Sequence, residues 1–267
     1  MIYIFTALSV EAAPFIKSWD LKADDLLPGL RVYKGGDIIL AVTGSGPLKA
    51  ASAAAAVMAA YGFSEGDQVI NAGICAGRET GELFIVNKVT DKASGRDYYP
   101  DMIYKTGLPE RALVTLSEPA TTIEGDLLCD MEGAAVFEAA SLFTAPHRIM
   151  LLKIVSDSGD SSKVSRDYVT DLIASKAEKI SEVTDLLRKV SGEERKVYNE
   201  DMELVSDLKC SEYMRADLRK LLIYADNSGR RGETDSFLEE LRRDGRLPAG
   251  SRHEGKVILD EIRRRLI

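Results

Sequence analysis

The sequence predicts an α/β fold with a mostly parallel sheet, followed by a small all-α extension. Three observations carry this. Short apolar runs suited to buried strands recur at Met1–Ala7, Gln68–Asn71, Leu83–Val89, Ala112–Leu116 and Arg148–Val155. Helical stretches lie between them, two of them alanine-rich, and such alternation argues for parallel strands with crossover helices. Beyond Ser191-Gly192 the apolar runs give way to a segment dense in both signs of charge. A chain of 267 residues suits one larger domain, here 1–190, plus a small appendage, here 193–267.

In order, Met1–Ala7 reads as a buried first strand and Glu11–Trp19 as a short helix. Leu30–Tyr33 and Asp37–Thr43 flank Gly35-Gly36, the grammar of a hairpin. Gly44-Ser45-Gly46-Pro47 breaks the chain before Leu48–Tyr61, whose small side chains suit a helix packed closely against a neighbour. The strand at 68–71 runs into the loop Asn71–Gly77. Residues 91–110 read as loop, Met131–Phe143 as a second alanine-rich helix, and Asp167–Val190 as a long amphipathic helix. Three or four short helices fit the extension, separated by Asn227-Ser228-Gly229 and Leu247-Pro248-Ala249-Gly250.

Composition excludes several classes. A net charge of −8 argues against a chain-wide nucleic-acid role, which needs a basic face. No run reaches 18 uninterrupted apolar residues, so no membrane span is expected, and the first residues lack the basic start of a secretory signal. Cys75, Cys129 and Cys210 are odd in number and far apart, which fits a reducing, cytoplasmic setting and argues against a disulfide framework. With His147 and His253 the only histidines, a histidine-based metal site or a Ser-His-Asp triad has almost no material. No metal and no cofactor are expected.

In parallel α/β sheets the site lies beyond the carboxyl ends of the strands. Glu11 follows the first strand, Asn71–Gly77 follows the second, and Ser156-Asp157 closes the strand at 148–155. Asp130-Met131-Glu132 opens an alanine-rich helix. Converging carboxylates without metal ligands suggest acid/base work. Each residue also has a plainer reading. An Asp at a strand end is often a helix cap, Glu132 suits a helix dipole, Met131 suits a core, Glu11 could be solvated, and Cys75 could be a small buried thiol.

The stretches Ala7-Leu8-Ser9-Val10-Glu11, Thr43-Gly44-Ser45-Gly46-Pro47, Val69-Ile70-Asn71-Ala72-Gly73, Cys129-Asp130-Met131-Glu132-Gly133-Ala134-Ala135 and Lys153-Ile154-Val155-Ser156-Asp157 occur in one order. Together they resemble the purine nucleoside phosphorylase / methylthioadenosine–adenosylhomocysteine nucleosidase superfamily over about residues 1–190. The resemblance implies a three-layer, mostly parallel mixed sheet flanked by helices, and cleavage of a nucleoside's N-glycosidic bond through an oxocarbenium-like state. It implies that Asp157 is the general acid that protonates the departing base and that Ser156 orients it. Glu132 would accept ribose hydroxyls, Met131 would pack under the sugar, and Glu11 would activate water. Ala72, Gly73, Ile74 and Cys75 would border the base or sugar.

The chain also departs from the family. The stretch before Asp130 is shorter than in typical members, and the S-G-D-x-F segment that brings an aromatic to the base is replaced by Leu116-Ser117-Glu118-Pro119-Ala120. The arginines that clamp phosphate in the phosphorylases are not evident: none follows Glu11 before Arg31, the 43–49 loop has only Lys49, and Arg78 and Arg96 stand as anion contacts. Hydrolysis of a purine nucleoside, 5′-modified and adenosine-like, is the expected reaction. Phosphorolysis and a non-catalytic nucleoside-binding homologue are the alternatives. The crowding of Tyr98, Tyr99, Met102, Ile103 and Tyr104 suggests a homo-oligomer, a dimer or a multiple of dimers, with this loop near the subunit boundary.

Overall fold

The computed structural model describes residues 1–64 and 66–266. The chain divides into two compact units, Met1–Gly192 and Glu193–Ile267.

The first unit is built on a ten-stranded mixed sheet. Its strands are β1 (Ile2–Thr6), β2 (Lys22–Asp24), β3 (Arg31–Gly35), β4 (Ile38–Val42), β5 (Gln68–Ala76), β6 (Leu83–Asp91), β7 (Arg96–Tyr98), β8 (Glu110–Thr115), β9 (Leu128–Asp130) and β10 (Ile149–Asp157). Helices α1 (Ser9–Ser18), α2 (Pro47–Tyr61), α3 (Gly133–Ala140) and α4 (Arg166–Asp207) alternate with them. β1 runs parallel to both β4 and β5, and β5 runs parallel to β10. The sheet then closes on itself, because β10 pairs with β6, β6 with β8, β8 with β9 and β9 with β5.

Strand parity makes the layers. Along β1, Tyr3 and Phe5 join the core that α2 and α3 cover, whereas Ile2 and Ile4 join the core shared with α1 and α4. β10 repeats the division, with Ile149, Leu151 and Val155 on the first side and Met150, Leu152 and Ile154 on the second. Every strand residue from Ile149 to Ser156 is buried, as a central strand covered on both faces requires. α2 packs on α3, its buried face made largely of Ala50, Ala53 and Ala54, so the two backbones approach closely.

Several boundaries differ from expectation. The segment read as the loop Asn71–Gly77 is strand as far as Ala76, because β10 extends beside it to Asp157. The 91–110 loop contains β7, which pairs with the end of β6. β2 and β9, three residues each, went unpredicted. The second alanine-rich helix starts at Gly133 and ends at Ala140. α4 continues far beyond Val190, and the division between units falls within it.

The second unit holds α5 (Glu212–Asn227), α6 (Arg231–Arg243) and α7 (Arg252–Leu266) around its own apolar core, which includes Leu208, Leu218, Phe237 and Ile262. Several of its arginines are engaged locally: Arg246 pairs with Glu261 at 2.8 Å, Arg263 with Asp217, and the Arg265 guanidinium lies over the Phe237 ring at 3.8 Å. Among the described residues no helix is long and apolar enough to cross a membrane.

Candidate active site

The parallel strands β1, β4, β5 and β10 end at one edge, and the predicted residues gather there. A cavity of about 150 Å³ is lined by Glu11, Ile74, Cys75, Met131, Glu132, Ser156 and Asp157. Two predicted residues are not on its wall. Ala72 is wholly buried and faces the α1/α4 core, since the strand pleat turns it away. Gly73 lies behind Glu11.

Glu11 sits in the first turn of α1 and is 2% exposed, so the solvated reading fails. Its carboxylate spans two elements: Leu8 N donates to Oε2 at 2.8 Å and Ile74 N to Oε1 at 2.9 Å. Burial raises its pKa above the ordinary 4.5, outweighing the two amides and Lys153, while Glu132 adds to the rise. Gly73 makes room for this carboxylate, because a Cβ there would lie 2.8 Å from Oε1. The obstructing atom is the far end of a flexible side chain, so Gly73→Ala displaces the carboxylate more readily than it unfolds the sheet. We expect this substitution to lower kcat at least about tenfold with little change in melting temperature. Comparing turnover with thermal unfolding checks it, and a parent-like kcat would show that Glu11 need not stay in place.

Glu132 opens α3 without capping it. Its Oε1 accepts instead from Gly46 N at 2.8 Å, across to the loop before α2. Ser45 Oγ meets Met131 Sδ at 3.9 Å, so the same loop holds both residues. Glu132 is 7% exposed, and its pKa is raised by burial first and then by Asp130. The cap is Asp130: its Oδ2 accepts from Gly133 N at 2.8 Å, and its Oδ1 from Thr115 Oγ1 at 2.7 Å. Thr115 Oγ1 in turn accepts from Ala134 N at 2.9 Å.

Lys153, to which the sequence reading gave no role, ion-pairs with Asp130 at 2.8 Å, both side chains being almost fully buried. Burial opposes its charge, but Asp130, Glu132 and Glu11 outweigh burial and raise its pKa. Its odd-numbered place on β10 points it toward α3. The one signal for it in the sequence was a single lysine inside the run Arg148–Val155.

Asp157 ends β10 where the register against β5 slips between Val155 and Asp157. Such an irregularity re-aims a side chain at a strand end. Gly159 N donates to Asp157 Oδ1 at 2.8 Å and Ser156 Oγ to Oδ2 at 2.8 Å. Ser156 Oγ also lies 3.1 Å from Cys75 O, and its single proton serves one acceptor at a time. The hydroxyl can therefore support a charged carboxylate or turn to the carbonyl. Gly159 packs on the 119–122 loop, since a Cβ there would meet the Thr121 carbonyl carbon at 2.9 Å. Leu116–Ala120 thus does stand beside the candidate acid, though it brings no aromatic ring.

Cys75 is buried, and burial pushes its thiol well above the usual range, so the small-buried-thiol reading holds. The two expected anion contacts lie elsewhere: Arg96 pairs with Glu138 at 2.7 Å, and Arg78 is exposed and lines none of the cavities described here. Much of the aromatic loop serves its own chain. Tyr98 packs against Phe137 in a tilted ring pair with centroids 5.4 Å apart, and Met102 and Tyr104 pack on the α1/α4 core, leaving Tyr99 and Ile103 exposed.

The closed, mixed sheet flanked by helices gives the first unit a nucleoside phosphorylase-like fold. Comparison with solved structures agrees. Futalosine hydrolase of Helicobacter pylori superposes with a TM-score of 0.59 at 16% identity, over 69% of this chain and 97% of that one. The 5′-methylthioadenosine nucleosidase of Arabidopsis thaliana gives 0.59 at 21%, over 70% and 95%. The 5′-methylthioadenosine/S-adenosylhomocysteine nucleosidase of Neisseria meningitidis, in complex with methylthio-immucillin-A, gives 0.57 at 19%, over 70% and 98%. No protein-family model and no curated protein sequence matches the chain.

Proposed function

We propose that the protein is a nucleosidase that hydrolyses the N-glycosidic bond of a purine nucleoside, adenosine-like and modified at C5′. The observation that carries this reading is the convergence of Glu11, Glu132 and Asp157 on one cavity of about 150 Å³ at the carboxyl edge of the sheet. As C1′–N lengthens, Asp157 gives its proton to the departing base, so the base leaves neutral. Ser156 follows the change of charge by turning between Asp157 and the Cys75 carbonyl. Glu132 accepts the ribose hydroxyls above Met131. Glu11 takes a proton from the water whose oxygen bonds to C1′. The products are free base and free sugar. Incubation with a panel of nucleosides, with and without phosphate, tests this. Free base released without phosphate supports hydrolysis, base with ribose 1-phosphate means phosphorolysis, and binding without turnover means a nucleoside-binding homologue.

Glu132→Gln is expected to weaken binding of a riboside more than binding of its free base. A hydrogen bond to a charged group contributes roughly 1.5–3 kcal/mol. Titration of both ligands into parent and variant checks this, and equal losses would place Glu132 away from the sugar.

The raised pKa of Glu11 sets a pH dependence with a definite sign. Above 4.5 the unfolded chain has released this proton while the folded protein still holds it, so stability falls as pH rises through that window. Activity moves the opposite way, because the base must be ionised: kcat/KM should rise with pH on a limb lying above 4.5. Glu11→Gln should remove that limb along with most of the turnover. A limb at or below 4.5 in the parent would take the base role from Glu11.

We also propose a homo-oligomer formed through the 96–104 loop, supported by the exposed Tyr99 and Ile103. Light scattering of the intact protein tests this, and a monomer at working concentration would refute it.

A further inference from the structure

Two larger hollows adjoin the central cavity at different places. One, of about 420 Å³, shares Pro119, Ala120 and Cys129 with it, on the side where Gly159 packs on Thr121 beside Asp157. The other, of about 430 Å³, shares Ala7, Leu8 and Ile74 with it. In the nucleosidase reading, on which this inference rests, the departing base lies at the Asp157 end and the ribose over Met131. The C5′ substituent then extends toward the second hollow.

The chemistry of that hollow differs from the rest of the site. The central cavity carries Glu11, Asp130, Glu132 and Asp157, whereas no acidic residue lines the second hollow. Its charged residues are Arg31, from β3, and Arg166, the first residue of α4. The hydroxyls of Ser9, Thr43 and Ser165 complete its polar lining. Arg31 is held in place by donating to Ser9 Oγ. Among the described residues no ion pair engages Arg31 or Arg166, in a chain whose net charge is −8. Helices α1 and α4 both begin at the hollow, tied together by Thr170 Oγ1 donating to Val10 O at 3.4 Å.

We propose that this hollow is an anion subsite, and that the substrate is a nucleoside whose C5′ substituent carries a negative charge, as a phosphate or a carboxylate. Arg31 and Arg166 bind the anion from two elements far apart in sequence, and Leu30, Val42 and Val169 give the arm of the substituent an apolar wall. Both arginines are exposed at the hollow, and their guanidiniums can turn toward a bound anion.

Equilibrium titration with adenosine 5′-monophosphate, adenosine-5′-carboxylate and adenosine tests this, with turnover of each recorded separately. An anionic ligand should bind at least about tenfold more tightly than adenosine, with a preference that shrinks as salt is added. Arg31→Gln and Arg166→Gln should each remove most of that preference, and their melting temperatures report whether they fold. Tighter binding of the phosphate or of the carboxylate decides between the two anions. Adenosine bound as tightly as both anionic ligands would overturn the inference while leaving the nucleosidase reading intact. Stimulation by inorganic phosphate with formation of ribose 1-phosphate would also overturn the inference, by giving the arginines to a co-substrate, and would replace hydrolysis by phosphorolysis. An anion preference that depends on both arginines, with no base released from any nucleoside, would support the subsite and sink only the nucleosidase reading.

Discussion

Asp157→Asn is expected to slow base release by roughly 10²–10⁴-fold, the usual contribution of a placed general acid, with the fold unchanged. The local geometry tells why these two effects separate. The backbone carbonyl of Asp157 accepts from Gly77 N at 2.8 Å, and this bond does not involve the side chain. An asparagine keeps an oxygen for Gly159 N, and its NH₂ can donate to Ser156 Oγ, which then donates to the Cys75 carbonyl. Every partner stays satisfied, but the amide has no proton to give to a departing base. The loss should therefore depend on the leaving group. A purine nucleoside needs the proton and should suffer the full loss. A riboside of an acidic phenol leaves without it and should suffer much less. A variant with near-parental kcat on a purine nucleoside, or equal losses on the two substrates, would remove Asp157 from the acid role.

The fold was legible where the sequence states its own periodicity. β1 is an apolar run, and β10 one broken by Lys153 alone up to Val155, because both faces of the central sheet are covered, and the alanine-rich α2 announces a close helix contact. The elements that escaped are those whose existence depends on a partner. β9 is only Leu128–Asp130, too short to show a period, and it is a strand because β8 and β5 pair with it. The apparent loop at 71–77 stays extended because β10 runs beside it. The change of composition near Ser191 did not end the helix, which runs on to Asp207. A helix needs only bonds four residues apart and can carry one backbone from one core to another.

The site followed the same rule. Glu11, Met131, Glu132, Ser156 and Asp157 were legible because each lies in a short motif at a strand or helix end, and the cavity brings them together. Gly73 carries a meaning the sequence did not announce, since its missing Cβ makes room for the Glu11 carboxylate. Arg31 and Arg166 belong to no motif, and only the folding of β3 and α4 brings them to one hollow. Lys153 stood in a quoted motif, but its role depends on the face of β10 it occupies and on a partner in β9.

That partner makes Lys153→Met the second large effect, a loss of roughly 3–5 kcal/mol of stability, as expected when one member of a buried ion pair is removed. Met matches the length and apolar stem of lysine, so the cost is not a cavity. It arises at Asp130, which retains Gly133 N and Thr115 Oγ1 but loses its ion-pair partner within a site that also contains Glu11 and Glu132. Lys153 currently lowers the pKa of both glutamates against the effect of burial, so its removal drives both further up. The variant should then recover stability as pH falls, because the folded state takes up protons that relieve the uncompensated charge. Its kcat/KM should rise with pH on a limb displaced upward from that of the parent. Adding Asp130→Asn to the variant should restore much of the lost stability, since removing both charges costs less than stranding one. Denaturant unfolding of the two single variants and the double variant measures this coupling. If the single losses simply add, the Lys153–Asp130 pair does not hold the opening of α3 in place.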